Sequence, residues 1–150
     1  MSKEYPDVLT EKWHIDALAA RFVTHPETLD VVVGSNLFAD ILTDLGGAIQ
    51  GSMGLPPSAN INPERKYPSM FESVHGSAPD IAGRGISNPI AAIWAGSMLL
   101  SYLGEEQASE LIMDGICATT AAGKVLTPDL GGKATTHEIA KEIIRNIRKK

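Results

Sequence analysis

The chain has 150 residues, a hydrophobic fraction of 43%, a charged fraction of 21% and a net charge of −5, which suits one ordinary domain with its own core. Its lysines and arginines are scattered rather than gathered into a stripe, which argues against a nucleic-acid-binding protein, and no apolar run approaches the roughly 20 residues of a membrane span. Cys117 is the only cysteine, so no internal disulfide can form, and the N-terminus lacks the apolar core of a signal peptide, which fits a cytoplasmic protein.

The first third of the chain predicts a helix, a strand and a second helix. Residues 9–24 are apolar over most of a helical circumference, which is typical of a helix buried on more than one side, for example at a subunit interface. Residues 29–33 form a β-branched run and predict a short buried strand. Ser35 or Asn36 can cap the helix that follows, whose apolar residues recur at helical spacing.

Glycines and prolines then interrupt the pattern. Gly51 and the pair Pro56 and Pro57 predict a domain crossing or hinge near Gly51. We therefore expect residues 1–50 and 51–150 to belong to two different domains.

Three helices are predicted in the last part of the chain, after a possible strand at residues 70–74. The first begins at Asn88 and Pro89, a capping residue followed by proline, and stops at a glycine. The second covers about residues 105–121, and Cys117 is expected in its core-facing side. After a loop at 127–132, the last helix begins with Thr135 and Glu138 in a capping box.

Two acidic residues share one face of the second predicted helix. Asp40 and Asp44 are four residues apart, and such a pair repels slightly unless a divalent cation binds these hard oxygen ligands. Apolar neighbours close to the pair favour a half-buried site. The alternative is a solvated helix face, which is the more common setting for charged residues.

A glycine-rich segment at residues 71–89 contains an acid, a histidine and an asparagine, and a predicted helix follows it directly. Glycines let backbone amides approach a ligand, and a helix start adds unpaired N–H groups and a positive dipole end. This chemistry suits a nucleotide, although Gly83 and Gly85 do not complete a Gly-x-Gly-x-x-Gly fingerprint. The alternatives are an ordinary glycine-rich connection and, for His75, a loop histidine that bonds its own turn.

Segment 71–89 resembles the cofactor loop of the NAD-dependent decarboxylating β-hydroxyacid dehydrogenases, the family of isopropylmalate, tartrate/D-malate and isocitrate dehydrogenases. Residues 58–72 are most similar to the tartrate/D-malate branch. The resemblance covers essentially the whole chain but only the C-terminal part of such an enzyme. It implies a partial three-layer α/β fold, in which residues 1–50 end the dimer-forming, substrate-binding domain and residues 51–150 complete the NAD-binding domain.

The resemblance also implies metal ligands and a dimer. Residues 36–44 are similar to the family's metal motif, in which Asp40 and Asp44 bind Mn²⁺ or Mg²⁺ together with the substrate. Residues 14–17 resemble the third acidic position, where Asp16 reaches into the active site of the partner subunit, so a homodimer with shared sites is implied. Asp16 otherwise lies in an apolar helix, where an unpaired carboxylate would be costly to bury.

The implied NAD contacts fall within the glycine-rich segment. Backbone amides near Gly76 would meet the phosphates, Asn88 and the main chain would read the adenine, and Asp80 would bond the adenosine ribose. An acid at this position disfavours a 2′-phosphate, so NAD is expected over NADP. The predicted cofactor-binding residues are His75, Gly76, Ser77, Ala78, Asp80 and Asn88.

No catalytic residue is predicted in this chain, because the family's general-base lysine, acid tyrosine and carboxylate-binding arginines lie upstream of the first matched residue. The expected function is a portion of an oxidoreductase that oxidises and decarboxylates a 2-hydroxy dicarboxylate (D-malate, tartrate or isopropylmalate) with NAD and a divalent metal. The alternatives are a non-catalytic dimerisation or regulatory subunit and an inactive fragment. Missing sheet neighbours predict exposed apolar surface and poor solubility or forced oligomerisation.

Overall fold

The computed structural model describes residues 3–149, and the chain divides into two units between Gly46 and Gly47. This boundary lies inside a helix, slightly before Gly51, where the sequence predicts a hinge. The assignment of residues 1–50 and 51–150 to two functional domains of a larger enzyme stays a prediction.

The first unit contains helix α1 (Ile15–Thr24), a 3-10 turn (Pro26–Thr28) and most of helix α2 (Asn36–Ile49). Helix α2 begins where the sequence predicts, and the Ser35 carbonyl accepts the first hydrogen bonds of this helix from the backbone N–H groups of Phe38 and Ala39. Leu42 is the buried apolar residue of this helix.

Two predictions for the first unit are wrong. Helix α1 starts at Ile15 rather than near Leu9, and none of its residues is buried. Leu9 is itself exposed, so burial does not reinforce helix formation before Ile15. Residues 29–33 form no strand, and Val31 and Val33 are 86% and 93% exposed. A strand needs a hydrogen-bonded neighbour, and the one sheet among residues 3–149 lies elsewhere.

The second unit begins with a small antiparallel sheet. Strand β1 (Pro57–Asn60) pairs with strand β2 (Met70–Ser73), with Pro57 opposite Ser73 and Asn60 opposite Met70. The sequence predicts β2 but not β1, because prolines usually interrupt strands. Pro57 is tolerated here because each strand of a two-stranded sheet has one unpaired edge and because it is the first residue of its strand.

Three helices complete the second unit: α3 (Ile90–Leu103), α4 (Glu106–Ala122) and α5 (Thr136–Ile147), with a 3-10 turn (Pro128–Leu130) between the last two. All three agree with the prediction. Gly104 and Gly123 end α3 and α4 in the left-handed conformation, with φ of +90° and +63°. Both bonds of the predicted capping box between Thr135 and Glu138 are present.

The core of the second unit lies where these helices meet. It is built from the buried side chains of Ile90, Ile116, Ile139 and Ile143. Cys117 is exposed, so its predicted core position is wrong. Gly115 and Ile116 are both buried, and because a helix turns by about 100° per residue, Cys117 lies on the side away from them. The mixed α/β class is confirmed, and no helix within residues 3–149 is long and apolar enough to cross a membrane.

Candidate functional site

An open pocket of about 410 Å³ lies in the part of the glycine-rich segment that follows strand β2. Four of the six predicted cofactor-binding residues line it, namely His75, Gly76, Ser77 and Ala78. The remaining lining comes from later in the same segment and from the start of helix α5: Ile81, Ala82, Gly83, Gly85, Ser87 and Thr136. The segment therefore folds back on itself and lines the pocket before it reaches helix α3.

Tight turns give the segment this shape. The backbone N–H of Ile81 donates to the Ala78 carbonyl at 3.1 Å, and that of Arg84 donates to the Ile81 carbonyl at 3.1 Å. Gly83 and Gly85 adopt left-handed φ values of +75° and +65°, which glycine accepts without strain. Ala78 has a φ of +43°, a conformation that costs a residue with a side chain about 1–2 kcal/mol.

Thr136 ties the far end of the segment to helix α5. Its backbone N–H donates to the Gly85 carbonyl at 2.9 Å, and its hydroxyl donates to the Ser87 carbonyl at 2.5 Å. Sequence reasoning did not select this residue. The available signal was the capping box, because the first residue after an N-cap has a backbone N–H with no partner inside its own helix.

His75 is half-buried, and its Nδ1 lies 2.9 Å from the Gly76 carbonyl oxygen. A carbonyl can only accept, so Nδ1 carries the proton, and in the neutral ring Nε2 is an acceptor. This is the self-bonded loop histidine that the sequence left open as an alternative. The residue also lines the pocket, so both descriptions apply to it.

Asn88 and Asp80 do not line the pocket. Asn88 is buried, its Oδ1 accepts the Ile90 backbone N–H at 3.0 Å, and its Nδ2 donates to Asp129 Oδ2 at 2.9 Å. The oxygen of this amide therefore holds the start of helix α3, and its NH₂ group holds Asp129. Asp80 is exposed. The roles of these two residues toward adenine and ribose stay predictions.

Asp129 is a residue that sequence reasoning missed. Its carboxylate accepts from Ser52 Oγ at 2.5 Å as well as from Asn88. Burial works to raise the pKa of this carboxyl, but the hydrogen bonds from surrounding side chains, that of Ser52 first, outweigh it and hold the pKa below its ordinary value. The sequence showed only an acid in a loop, and nothing in it indicated two donors from distant segments.

The three predicted metal ligands lie on the helices of the first unit. Asp40 and Asp44 share a face of α2 by their spacing, but both are exposed, so the expected half-buried setting is wrong. Asp16, also exposed, accepts the backbone N–H of Ala17 at the start of α1. Within residues 3–149, no three histidine, cysteine, aspartate or glutamate side chains come close enough to hold a metal ion.

Comparisons with known proteins identify relatives of the whole chain. The family model for isocitrate/isopropylmalate dehydrogenase matches residues 1–143. A probable tartrate dehydrogenase/decarboxylase of Bacillus subtilis (strain 168) is 55% identical over 146 residues, which are 97% of this chain and 41% of that protein. The decarboxylating D-malate dehydrogenase of Escherichia coli (strain K12) is 53% identical over 152 residues, covering 98% of this chain and 42% of that enzyme.

A solved structure shares the fold. The isocitrate dehydrogenase from Methylococcus capsulatus superimposes with a TM-score of 0.92 at 40% sequence identity, over 98% of this chain and 43% of that chain. This match confirms the expectation of a partial fold of this type. The chain spans about two fifths of the length of the relatives that it matches.

Proposed function

This chain belongs to the isocitrate/isopropylmalate dehydrogenase family, and from that membership we propose that it is part of an oxidoreductase that oxidises and decarboxylates a 2-hydroxy dicarboxylate with NAD and a divalent metal. The observation that carries this proposal is the pocket formed by the glycine-rich segment, which four of the six expected NAD residues line. The relatives named as tartrate and D-malate dehydrogenases favour those two substrates. The cytoplasmic location expected from the sequence stays a prediction.

Open space beside the backbone of the glycine-rich segment supports the proposed NAD site. A Cβ built at Gly76, Gly83 or Gly85 would meet no atom within 4 Å, so the main chain at these positions faces open space that a ligand can approach. In this proposal the N–H of Gly76 would donate to a phosphate, and Asp80, next to the pocket in sequence, would accept from the ribose hydroxyls. Hydride acceptance is the chemistry that NAD supplies when it is bound.

The carboxylates of the first unit fit a divalent cation in type but not in number. Asp40 and Asp44 offer the hard oxygen ligands that Mg²⁺ and Mn²⁺ prefer. Two exposed carboxylates leave most of the coordination shell to substrate, water and other protein groups. We therefore propose a homodimer in which Asp16 of a second copy completes the site. Lewis-acid polarisation of the substrate oxygens is the chemistry that the cation supplies there.

One observation favours a second candidate, a non-catalytic dimerisation or regulatory subunit. The three aspartates are exposed, so nothing in one copy of the chain surrounds them as a binding site. Such a subunit would keep the family fold and its helical interface without binding the cation.

Metal binding separates the two candidates. Free Mn²⁺, measured by electron paramagnetic resonance during titration, should fall in the presence of the wild-type chain, and Asp40→Asn and Asp44→Asn should each abolish this effect. Asp30→Asn, which removes another exposed carboxylate of the same unit, is the matched control and should bind Mn²⁺ as the wild type does. Retained Mn²⁺ binding by the two α2 variants would contradict the proposed site, and no binding by the wild type would favour the non-catalytic subunit.

Activity is tested with the same preparations. NADH formation should be measured with Mn²⁺, NAD⁺ and, in separate reactions, D-malate, tartrate and isopropylmalate. We expect turnover only when the N-terminal part of a relative, which carries the lysine and tyrosine, is added. Turnover by the chain alone would contradict the expectation that the catalytic base lies outside it.

A further inference from the structure

Three segments of the second unit meet at the carboxylate of Asp129. Ser52 comes from the segment after helix α2, Asn88 closes the glycine-rich segment, and Asp129 lies in the 3-10 turn before helix α5. Ser52 and Asn88 are 7% and 6% exposed, and both donate to the same oxygen, Oδ2 of Asp129. The carboxylate is therefore the common acceptor that joins positions far apart in the sequence.

The junction leaves little room for adjustment. The Gly54 N–H donates to Ser52 Oγ at 2.9 Å, and the Gly54 carbonyl accepts the Ala91 N–H at 3.0 Å. A Cβ at Gly54 would lie 2.7 Å from Asn88 Cβ and 3.1 Å from Asp129 Oδ2. A side chain at position 54 would therefore displace Asn88 and Asp129, so only glycine lets the segment after α2 pack this closely against them.

The charge on Asp129 suits this role. A carboxylate oxygen is an acceptor only and has two lone-pair directions, so it can accept from a hydroxyl and an amide at the same time. Hydrogen bonds to an ionised acceptor are also about twice as strong as those between neutral groups.

We propose that Asp129 is a positioning residue for the cofactor segment. Its bond to Nδ2 orients the Asn88 amide, whose Oδ1 then holds the N–H of Ile90 at the start of helix α3. The C-terminal end of the glycine-rich segment is thereby fixed to the segment that carries Ser52. This inference rests on the proposed NAD role of the glycine-rich segment.

The test is NAD⁺ affinity, measured by calorimetric titration of the full chain. Asp129→Ala removes the acceptor and should weaken binding about tenfold, the equivalent of one hydrogen bond to a charged group. Asp129→Asn keeps an oxygen that can accept both donors, so its affinity should stay within about threefold of the wild type. Ser97→Ala is the matched control, because it breaks the buried bond between Ser97 and Ser109 in the same unit and should leave NAD⁺ affinity unchanged.

The outcomes are distinguishable. If the wild type binds NAD⁺ and Asp129→Ala binds it equally well, the positioning role is refuted and the proposed function stands. Equal weakening by Ser97→Ala would assign the effect to general destabilisation and would also refute the role. If the wild type does not bind NAD⁺, the proposed cofactor site fails, and the positioning role fails with it. Should Asp129→Ala not fold, Ser52→Ala replaces it, since Ser52 does not line the pocket and can act on NAD⁺ affinity only through the junction.

Discussion

Replacing Gly115 with alanine tests the packing of helix α4 on helix α5, because two effects of opposite sign compete there. Gly115 is buried in the interior of α4. Helix propensity alone favours alanine over glycine by about 1 kcal/mol. A Cβ at this position, however, would lie 2.6 Å from Ile147 Cγ1 and 3.1 Å from the Ile143 carbonyl oxygen. Carbon atoms in contact are ordinarily about 3.5–4.0 Å apart.

The overlap should outweigh the gain in propensity. The nearer atom is not the flexible end of its side chain, and the second contact is with the backbone. Relief therefore requires α5 to move away from α4, which would loosen the packing of Ile139 and Ile143 against Ile116. Overpacking of this kind costs about 1–3 kcal/mol, and the blocked backbone favours the upper end. Subtracting the propensity gain leaves a net loss of about 2 kcal/mol in the free energy of unfolding.

The assay is urea unfolding followed by circular dichroism, with Gly96→Ala as the control. Gly96 lies inside helix α3, and a Cβ there would meet no atom within 4 Å. That variant should therefore show the propensity gain alone, a stabilisation of up to about 1 kcal/mol. If Gly115→Ala is stabilised to the same extent as Gly96→Ala, helices α4 and α5 do not pack closely at Gly115 and the reasoning is refuted.

Three further changes have expected outcomes. Thr135→Ala removes the cap of helix α5 and should lower the free energy of unfolding by about 1 kcal/mol in the same assay; an unchanged free energy would show that the cap does not stabilise the helix. Hydrogen bonds from the backbone N–H of Thr135, and then from its hydroxyl, hold the pKa of Glu138 below its ordinary value. The ionised carboxylate therefore stabilises the folded state at pH values above the ordinary glutamate pKa, and this stabilisation is lost as the pH falls through the lowered pKa of the folded state. Glu138→Gln should therefore flatten the acid side of the urea-midpoint profile, and an unchanged profile would count against the bond. Asp80→Asn removes the charge expected to repel a 2′-phosphate. The ratio of the dissociation constants for NADPH and NADH, measured by fluorescence titration, should therefore fall about tenfold. An unchanged ratio would show that Asp80 does not discriminate between the two cofactors.

Helices of the second unit could be predicted because their ends are encoded locally. Gly104 ends helix α3, and the capping box of Thr135 and Glu138 starts helix α5. Each signal acts within one helical turn, so a short window of sequence contains all of it. Helix α1 shows the limit of this reasoning. Its apolar circumference suggested burial, but burial depends on what lies around the helix, and none of its residues is buried.

Strands and buried polar contacts depend on partners that a local pattern does not name. Val31 and Val33 have the composition of a strand, yet no neighbouring strand lies beside them among residues 3–149. Asn88 was selected as a helix start and as a contact to adenine; the structure uses its amide for the helix start and for Asp129. The second partner lies 41 residues further along the chain, and no spacing rule connects the two positions.

The second unit buries more apolar side chains than the first, which bears on how NAD and the divalent cation would bind. The isoleucine core lies entirely in the second unit. It includes Ile90, the first residue of helix α3, which directly follows the glycine-rich segment. In the first unit, helix α2 carries Asp40 and Asp44 but exposes Leu37, Phe38 and Ile41. These side chains are between 43% and 67% exposed, so covering the rest of each would contribute about half of the value for complete burial, about 1 kcal/mol each.

Association with another protein surface would therefore stabilise the helix that carries the proposed metal ligands, whereas the glycine-rich segment is followed directly by a helix that packs in the core of the second unit. If the expected homodimer forms through the first unit, Mn²⁺ affinity should rise with protein concentration, because cation binding and association are thermodynamically linked. NAD⁺ affinity should not change over the same range. A Mn²⁺ affinity independent of concentration, measured across the monomer–dimer transition by light scattering, would show that Asp40 and Asp44 bind the cation without a second copy.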